Sequence, residues 1–280
     1  MEQRYATSPE QVPGMDAEQL RRRYLVQDLF VDDQVKALYS HHDRIVLMGA
    51  SPVAKTLVLP TFPQVRSDYF FARREGGIVN VGGTGTITVD GTAYRLTKGS
   101  CLYIGRGARV VTMESCQGAE DGDAARFYML SAPAHTAYPT TLVQAGQGNV
   151  RELGDPLTSN RRTLNQYIHE KGIQSCQVVM GVTSLHPGSM WNTMPAHTHD
   201  RRTEAYLYFD VPADGRIIHL MGEPTETRHI VVADLEAVIS PSWSVHSGVG
   251  SASYSFVWAM AGENQSFDDM DGFAITAAMR

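Results

Sequence analysis

Cysteine is scarce in this chain of 280 residues: Cys101, Cys116 and Cys176 are an odd number without metal-type or redox-type spacing. That argues against a disulfide framework and points to reduced thiols. Long hydrophobic runs are missing as well. No window approaches the roughly 18–20 uncharged apolar residues that a membrane span needs, and the opening residues MEQRYATSPEQ hold no apolar core of a secretion signal. The expectation is a cytoplasmic protein with no membrane partner. Positive charge is not in excess, since 24 basic against 30 acidic residues leave a net charge of −6. Nucleic acid is therefore not an expected partner, although a few local arginines can still hold a small anionic substrate. Charged residues make up 19% and hydrophobic residues 42%, a globular balance rather than a disordered one. The length suits one large domain or two ordinary ones.

The clearest helical pattern runs over residues 15–40, with Leu20, Tyr24, Leu25, Leu29 and Phe30 at spacings near three and four and Asp16 as N-cap. After Ser40 the chain breaks into short apolar runs punctuated by glycine, such as GIVNVGG, TITVDG and CLYIG. Asp90-Gly91 fits a two-residue hairpin turn, which demands positive φ. A polar, turn-rich stretch over 133–162 is the candidate link, after which the strand rhythm resumes. The reading is all-β: two related β-sandwich or jelly-roll barrels behind a short N-terminal helical segment, with halves at 1–150 and 151–280.

His197-Thr198-His199 sets two imidazoles on one face of an extended segment. Glu204 would face the other side under strict alternation, unless a turn or bulge through residues 200–203 corrects its direction. His246 follows in SPSWSVHSG. An isolated HxH in a β-protein is more often a pair of surface histidines than a metal site. Three imidazoles with one carboxylate, however, suit zinc, iron, manganese or nickel and leave coordination positions open. The N-terminal half has no HxH and reads as metal-free.

The set HxH, Glu and a later His resembles the pattern of the cupin superfamily, G-x5-HxH-x3,4-E-x6-G followed by a motif with one histidine. The spacing from Gly188 to His197 is longer, and no glycine follows Glu204 at the expected distance. Longer strings, among them RREGGIVNVGGTG, NRRTLNQYIH, GSMWNTMPAHTHDRRTEAYLYFD, AVISPSWSVHSGVG and WAMAGENQSFDDMD, resemble the 5-keto-4-deoxyuronate isomerase family over most of residues 43–271. Ala72 stands where that family suggests an acidic residue. The resemblance implies a homo-oligomeric, hexameric two-cupin enzyme with one Zn²⁺ per subunit on His197, His199, Glu204 and His246. It would convert 5-dehydro-4-deoxy-D-glucuronate into 3-deoxy-D-glycero-2,5-hexodiulosonate during breakdown of pectin and related uronate polymers.

Such an isomerisation needs a base, for which Glu204 is the first candidate and Tyr206 or His186 are others. A substrate carboxylate suits the planar fork of an arginine. Arg161, Arg162, Arg201 and Arg202 flank the motif segments, although a structural salt bridge is an equal expectation for each. Trp191, Trp243 and Trp258 read as core, and Gly82-Gly83-Thr84-Gly85 as hairpin or bulge rather than phosphate loop. An iron-dependent cupin dioxygenase and a non-enzymatic sugar-binding bicupin share the ligand set and stand as alternatives.

Overall fold

The computed structural model describes residues 1–116 and 123–276. Strands dominate, and they assemble into four main sheets. One seven-stranded sheet runs in the order Glu2–Arg4, Val35–Ser40, Val46–Ala50, Phe127–Pro133, Arg74–Asn80, Cys101–Ile104, Thr141–Val143. A four-stranded sheet of Leu57–Val58, Val111–Ser115, Gly85–Val89 and Thr92–Leu96 faces it. Met48, Ile78 and Phe127 from the large sheet meet Ile87, Val111 and Met113 from the small one in a single apolar layer. The turn Asp90-Gly91 has φ of 47° and 87°, the two positive values that a tight hairpin requires.

The second half repeats this plan. Its large sheet is ordered Asn149–Leu153, Arg162–Ile168, Val179–Leu185, Ser255–Gly262, Arg202–Phe209, Ala237–Ser240, Leu25–Val26. Its small sheet is Trp191–Asn192, Ser247–Gly250, Ile217–Glu223 and Glu226–Val232. The central strands of both large sheets follow the same succession, so the topology is repeated although the sequence shows no repeat. Tyr206, Trp258 and Met260 pack on Ile217, Met221 and Ile230 between the second pair of sheets. The outer faces of the two large sheets pack back to back, Val79, Tyr103 and Leu130 against Met180, Leu207 and Val257. The layers are therefore small, large, large, small. The stretch 133–162 is not simply a link: it supplies the last strand of one large sheet and the first of the other.

The helical reading of 15–40 needs correction. The α-helix covers only Ala17–Tyr24, begun as expected by Asp16, whose carboxylate accepts from the Gln19 amide at 2.8 Å. Leu20 and Tyr24 bury against the second core. Leu25–Val26 then pairs with Val238 and Ala237 at the edge of the second large sheet. Asp28 and Asp33 adopt φ of 55° and 57°, left-handed values that no α-helix accommodates. Leu29 instead lies so close to Gly49 that a Cβ there would collide with its carbonyl. Tertiary pairing of Leu25–Val26 overrides the local helical spacing.

At the seam between the halves, Glu75 is fully buried and points away from its own sandwich. Its carboxylate accepts from the amides of Cys176 (2.7 Å), Gln177 (2.7 Å) and Val178 (2.9 Å) and from the Tyr103 hydroxyl (2.8 Å). Charge-assisted bonds of this kind stabilise more than neutral ones, and a partner left unmet in the interior is costly. Glu75→Gln would turn an amide NH2 toward these donors. A loss of about 3 kcal/mol is expected, read as a lower urea midpoint; a midpoint unchanged from wild type would show the clamp to be dispensable.

Candidate metal centre and cavity

The strand Arg202–Phe209 alternates cleanly. Thr203, Ala205, Leu207 and Phe209 face away from the second sandwich's interior, Ala205, Leu207 and Phe209 joining the central core, while Glu204, Tyr206 and Tyr208 face into it. His197–Thr198 is a separate short strand paired with Asp271–Gly272. A turn at Asp200-Arg201 connects the two, closed by the Arg202 amide donating to the His199 carbonyl at 2.9 Å. This is the break anticipated between residues 200 and 203, and it brings Glu204 round to the histidines. His246 enters from the opposite sheet, just before Ser247–Gly250.

One ligand atom from each of His197, His199, Glu204 and His246 lies within 4.8 Å of all the others. Glu204 Oε2 sits 3.0 Å from His199 Nε2 and 2.9 Å from His246 Nε2, and the Nε2 atoms of His197 and His246 are 3.0 Å apart. His199 Nδ1 lies 2.9 Å from the Arg202 carbonyl, and His246 Nδ1 lies 3.3 Å from that of Ser244. A carbonyl only accepts, so each Nδ1 carries the proton and each Nε2 turns its lone pair inward. Lone pairs so directed repel unless a cation lies among them. The donor set therefore fits a divalent metal ion, with imidazole and carboxylate as borderline ligands.

A cavity of about 180 Å³ adjoins the cluster. His197, Glu204 and Tyr206 form its polar end, with Thr183 and Thr193 beside them, while Leu164, Phe256, Trp258, Met260, Phe267 and Met270 make an apolar wall. Arg162 is the one cation among its described lining residues, and Glu204 the one carboxylate. Burial lowers the pKa of Arg162 below its ordinary value, and one of its guanidinium nitrogens donates to the Asn160 carbonyl at 2.8 Å. The Tyr206 hydroxyl, 3.1 Å from Thr193 Oγ1, is held protonated by burial and by the nearby Glu204.

The other three arginines are placed elsewhere. Arg161 is exposed and lines a shallow surface cleft with His186. Arg201 pairs with Asp269 at 2.5 Å and Asp271 at 3.0 Å. Arg202 is fully buried, and its guanidinium donates to the carbonyls of Ser266 and Asp269. Acidic and carbonyl partners on residues 266–271, far along the chain, take up these two side chains. His186 contacts Thr163 and Glu152 rather than the cluster. Trp258, expected foremost as core, is buried and also lines the cavity, its indole donating to Thr183 Oγ1 at 3.1 Å. Sequence reading missed Phe267 and Met270, which sit in a polar-looking stretch, and His219, whose Nδ1 lies 2.8 Å from the Tyr208 hydroxyl.

Burial, then the neighbouring His246, pushes the His197 pKa down to about 3, and the same causes bring His219 to about 3. Burial works against ionisation of Glu204, but His246 and His199 outweigh it and hold the carboxyl below its usual range. His197 and Glu204 therefore stand in ligand-ready form at neutral pH. An unfolded chain protonates its histidines near 6.5, whereas the folded chain resists down to about 3, so stability rises with pH across that window. Metal-free protein should thus lose thermal stability steadily from pH 7 to pH 4, with a shallower slope for His219→Gln. Equal melting temperatures at the two pH values would contradict the burial of neutral imidazoles.

Known proteins place this architecture. The KduI/IolB family model matches residues 27–274. A 4-deoxy-L-threo-5-hexosulose-uronate ketol-isomerase of Kineococcus radiotolerans is 69% identical over 98% of this chain and 99% of its own length. A protein of the same name from Bacillus pumilus is 53% identical, with 97% of each chain covered. Among solved structures, an IolB-like protein from Salmonella typhimurium superposes with a TM-score of 0.65 at 15% identity, covering 82% of this chain and 87% of that one. The Lactobacillus farciminis oxalate decarboxylase gives 0.52 at 9% identity, covering 79% and 78%, a likeness of cupin-like fold alone. On the extent of the family match and the identity to its relatives, this chain belongs to the KduI/IolB family.

Proposed function

We propose that the protein is a zinc-dependent ketol-isomerase converting 5-dehydro-4-deoxy-D-glucuronate into 3-deoxy-D-glycero-2,5-hexodiulosonate. The observation that carries the reading is the convergence of three imidazoles and a carboxylate beside a cavity where Arg162 is the one cation among the described lining residues. The names borne by relatives of such high identity support the substrate. The chemistry then falls to the half at 151–280, with the half at 1–150 metal-free. His197, His199, Glu204 and His246 would hold the metal, which when bound polarises the substrate's oxygens and stabilises developing negative charge on them.

The remaining work belongs to the chain. The Arg162 guanidinium binds the substrate carboxylate, a planar fork against a planar anion. The reaction carries the C2 proton to C1 and the C2 hydroxyl proton to the aldehyde oxygen, so no electrons or atoms are gained. Glu204, the carboxylate among the described lining residues, either stays with the metal or serves as base for the C2 proton. The protonated Tyr206 hydroxyl donates toward substrate oxygen. Phe256, Trp258, Phe267 and Met270 exclude water, which strengthens these interactions.

Removing the carboxylate's partner costs about 1.5–3 kcal/mol. Arg162→Ala should therefore raise KM about 10–100-fold with a smaller effect on kcat, while Arg161→Ala leaves both unchanged; an Arg162→Ala enzyme with wild-type KM removes arginine from substrate binding. Proton NMR of the 4-deoxy-5-ketouronate in D₂O tests the reaction itself. The aldehyde or hydrate signal should fade and the ketose grow only in metal-replete protein. Unchanged substrate with metal bound ends the isomerase reading and favours the dioxygenase, for which oxygen uptake is the assay. We place the protein in the cytoplasm as a homohexamer on the strength of the family resemblance; sedimentation giving only monomer would refute the assembly.

A further inference from the structure

Residues 263–272 form a strap across the cavity. Phe267 and Met270 are its contribution to the wall, and Phe267 packs on Trp258 with ring centroids 5.1 Å apart. The strap is held at both ends by main-chain bonds, Glu263 N to the Arg201 carbonyl at 3.0 Å and Phe273 N to the Ala196 carbonyl at 3.1 Å. Between them Asp269 accepts from Arg201 and from Asn264 Nδ2, the latter at 2.7 Å.

Arg202 lies where strap and metal centre meet. Its guanidinium reaches the carbonyls of Ser266 and Asp269, the two positions that bracket Phe267. Its own carbonyl, at the other end of the residue, takes the His199 Nδ1 proton at 2.9 Å. We infer that Arg202 is a positioning residue that couples closure of the strap to the aim of His199 at the metal. The inference rests on the metal reading above.

The physical reason is the buried charge. Arg202 has no exposed surface, and two carbonyls of the strap take hydrogen bonds from its guanidinium. With its Nε already lacking a partner, a guanidinium so placed depends on the two carbonyls that meet its terminal nitrogens. If the strap lifts, both carbonyl acceptors leave together, the side chain has to follow them or reach water, and the backbone at 202 shifts with it. The His199 ring then loses the carbonyl that fixes its rotation and tautomer. A closed cavity and a correctly aimed imidazole therefore occur together. A lysine, with one compact ammonium, cannot span two carbonyls in the same way.

Cobalt(II) loaded in place of the native metal reports ligand geometry through its visible bands. Arg202→Lys acts from the metal side, and Asp269→Asn weakens the strap's side-chain ties to Arg201 and Asn264 while keeping residue 202 and the Asp269 carbonyl that it meets. Both should alter the cobalt band intensities and release the ion to a chelator about 10–100-fold faster than wild type. Where Arg202→Lys fails to fold, Asp269→Asn alone carries the test. Variants with the wild-type spectrum and release rate overturn the coupling while leaving the metal centre intact. A wild-type protein that takes up no cobalt overturns both.

Discussion

Lone pairs aimed at one another inside a protein repel, and the need to hold them together in a form that suits a cation organises the second half of the molecule. Three imidazoles and a carboxylate with ligand atoms inside 4.8 Å would repel and demand water if left to themselves. The surrounding chain denies them both escapes. His199 and His246 are turned by backbone carbonyls so that rotation would forfeit a hydrogen bond. Glu204 projects from the middle of a sheet whose neighbouring strands pair with it on both sides, Ser240 across one edge and Met260 across the other. The rigidity comes from the sheets, and the convergence from the single turn at residues 200–201.

The repeated topology divides labour rather than duplicating it. The strand equivalent in order to Arg202–Phe209 is Arg74–Asn80, whose inward face carries Gly76 and Ile78 rather than a carboxylate and a tyrosine. Its acidic residue, Glu75, faces the seam instead of the sandwich interior. One-residue alternation thus decides whether a carboxylate serves a metal centre or a clamp. The first half also reaches the site indirectly, since Asp43 accepts from the Thr203 amide at 3.0 Å, next to Glu204. An isolated second half would lose that bond together with the Glu75 clamp.

The readable parts of this molecule are those whose signal is local. Asp90-Gly91 announces its turn because backbone φ there is nearly a property of the dipeptide. The HxH, Glu and His set is readable because metal chemistry restricts residue type, and the polar run 200–203 betrays the turn that geometry requires. What escaped reading is non-local. The helix ends at Tyr24 because Leu25–Val26 finds a partner strand more than two hundred residues away. Arg201 and Arg202 looked as suitable for a carboxylate as Arg162, since nothing near them in sequence reveals that residues 266–271 occupy them. The cavity wall is hidden for the same reason: Phe267 and Met270 stand among polar neighbours and become apolar lining only when the strap folds back.

That contrast among arginines carries the specificity argument one step further. A guanidinium contributes to binding an anion only in so far as its donors are uncommitted before the anion arrives. Arg201 already faces two aspartates and Arg202 two carbonyls, so a substrate carboxylate would have to displace partners of equal or greater strength. Arg162 spends one donor on the Asn160 carbonyl and has two tyrosines, Tyr206 and Tyr254, as its charge neighbours, with no carboxylate among the described residues bound to it. Its burial makes the unpaired cation costly, and an incoming carboxylate relieves that cost. The apolar wall opposite does the converse work, since a hydroxyl pressed against Leu164, Met260 or Phe256 would lose water and gain no partner. A sugar acid lacking one hydroxyl matches a cavity that offers a charge at one side, Lewis-base ligands at another and hydrocarbon between them.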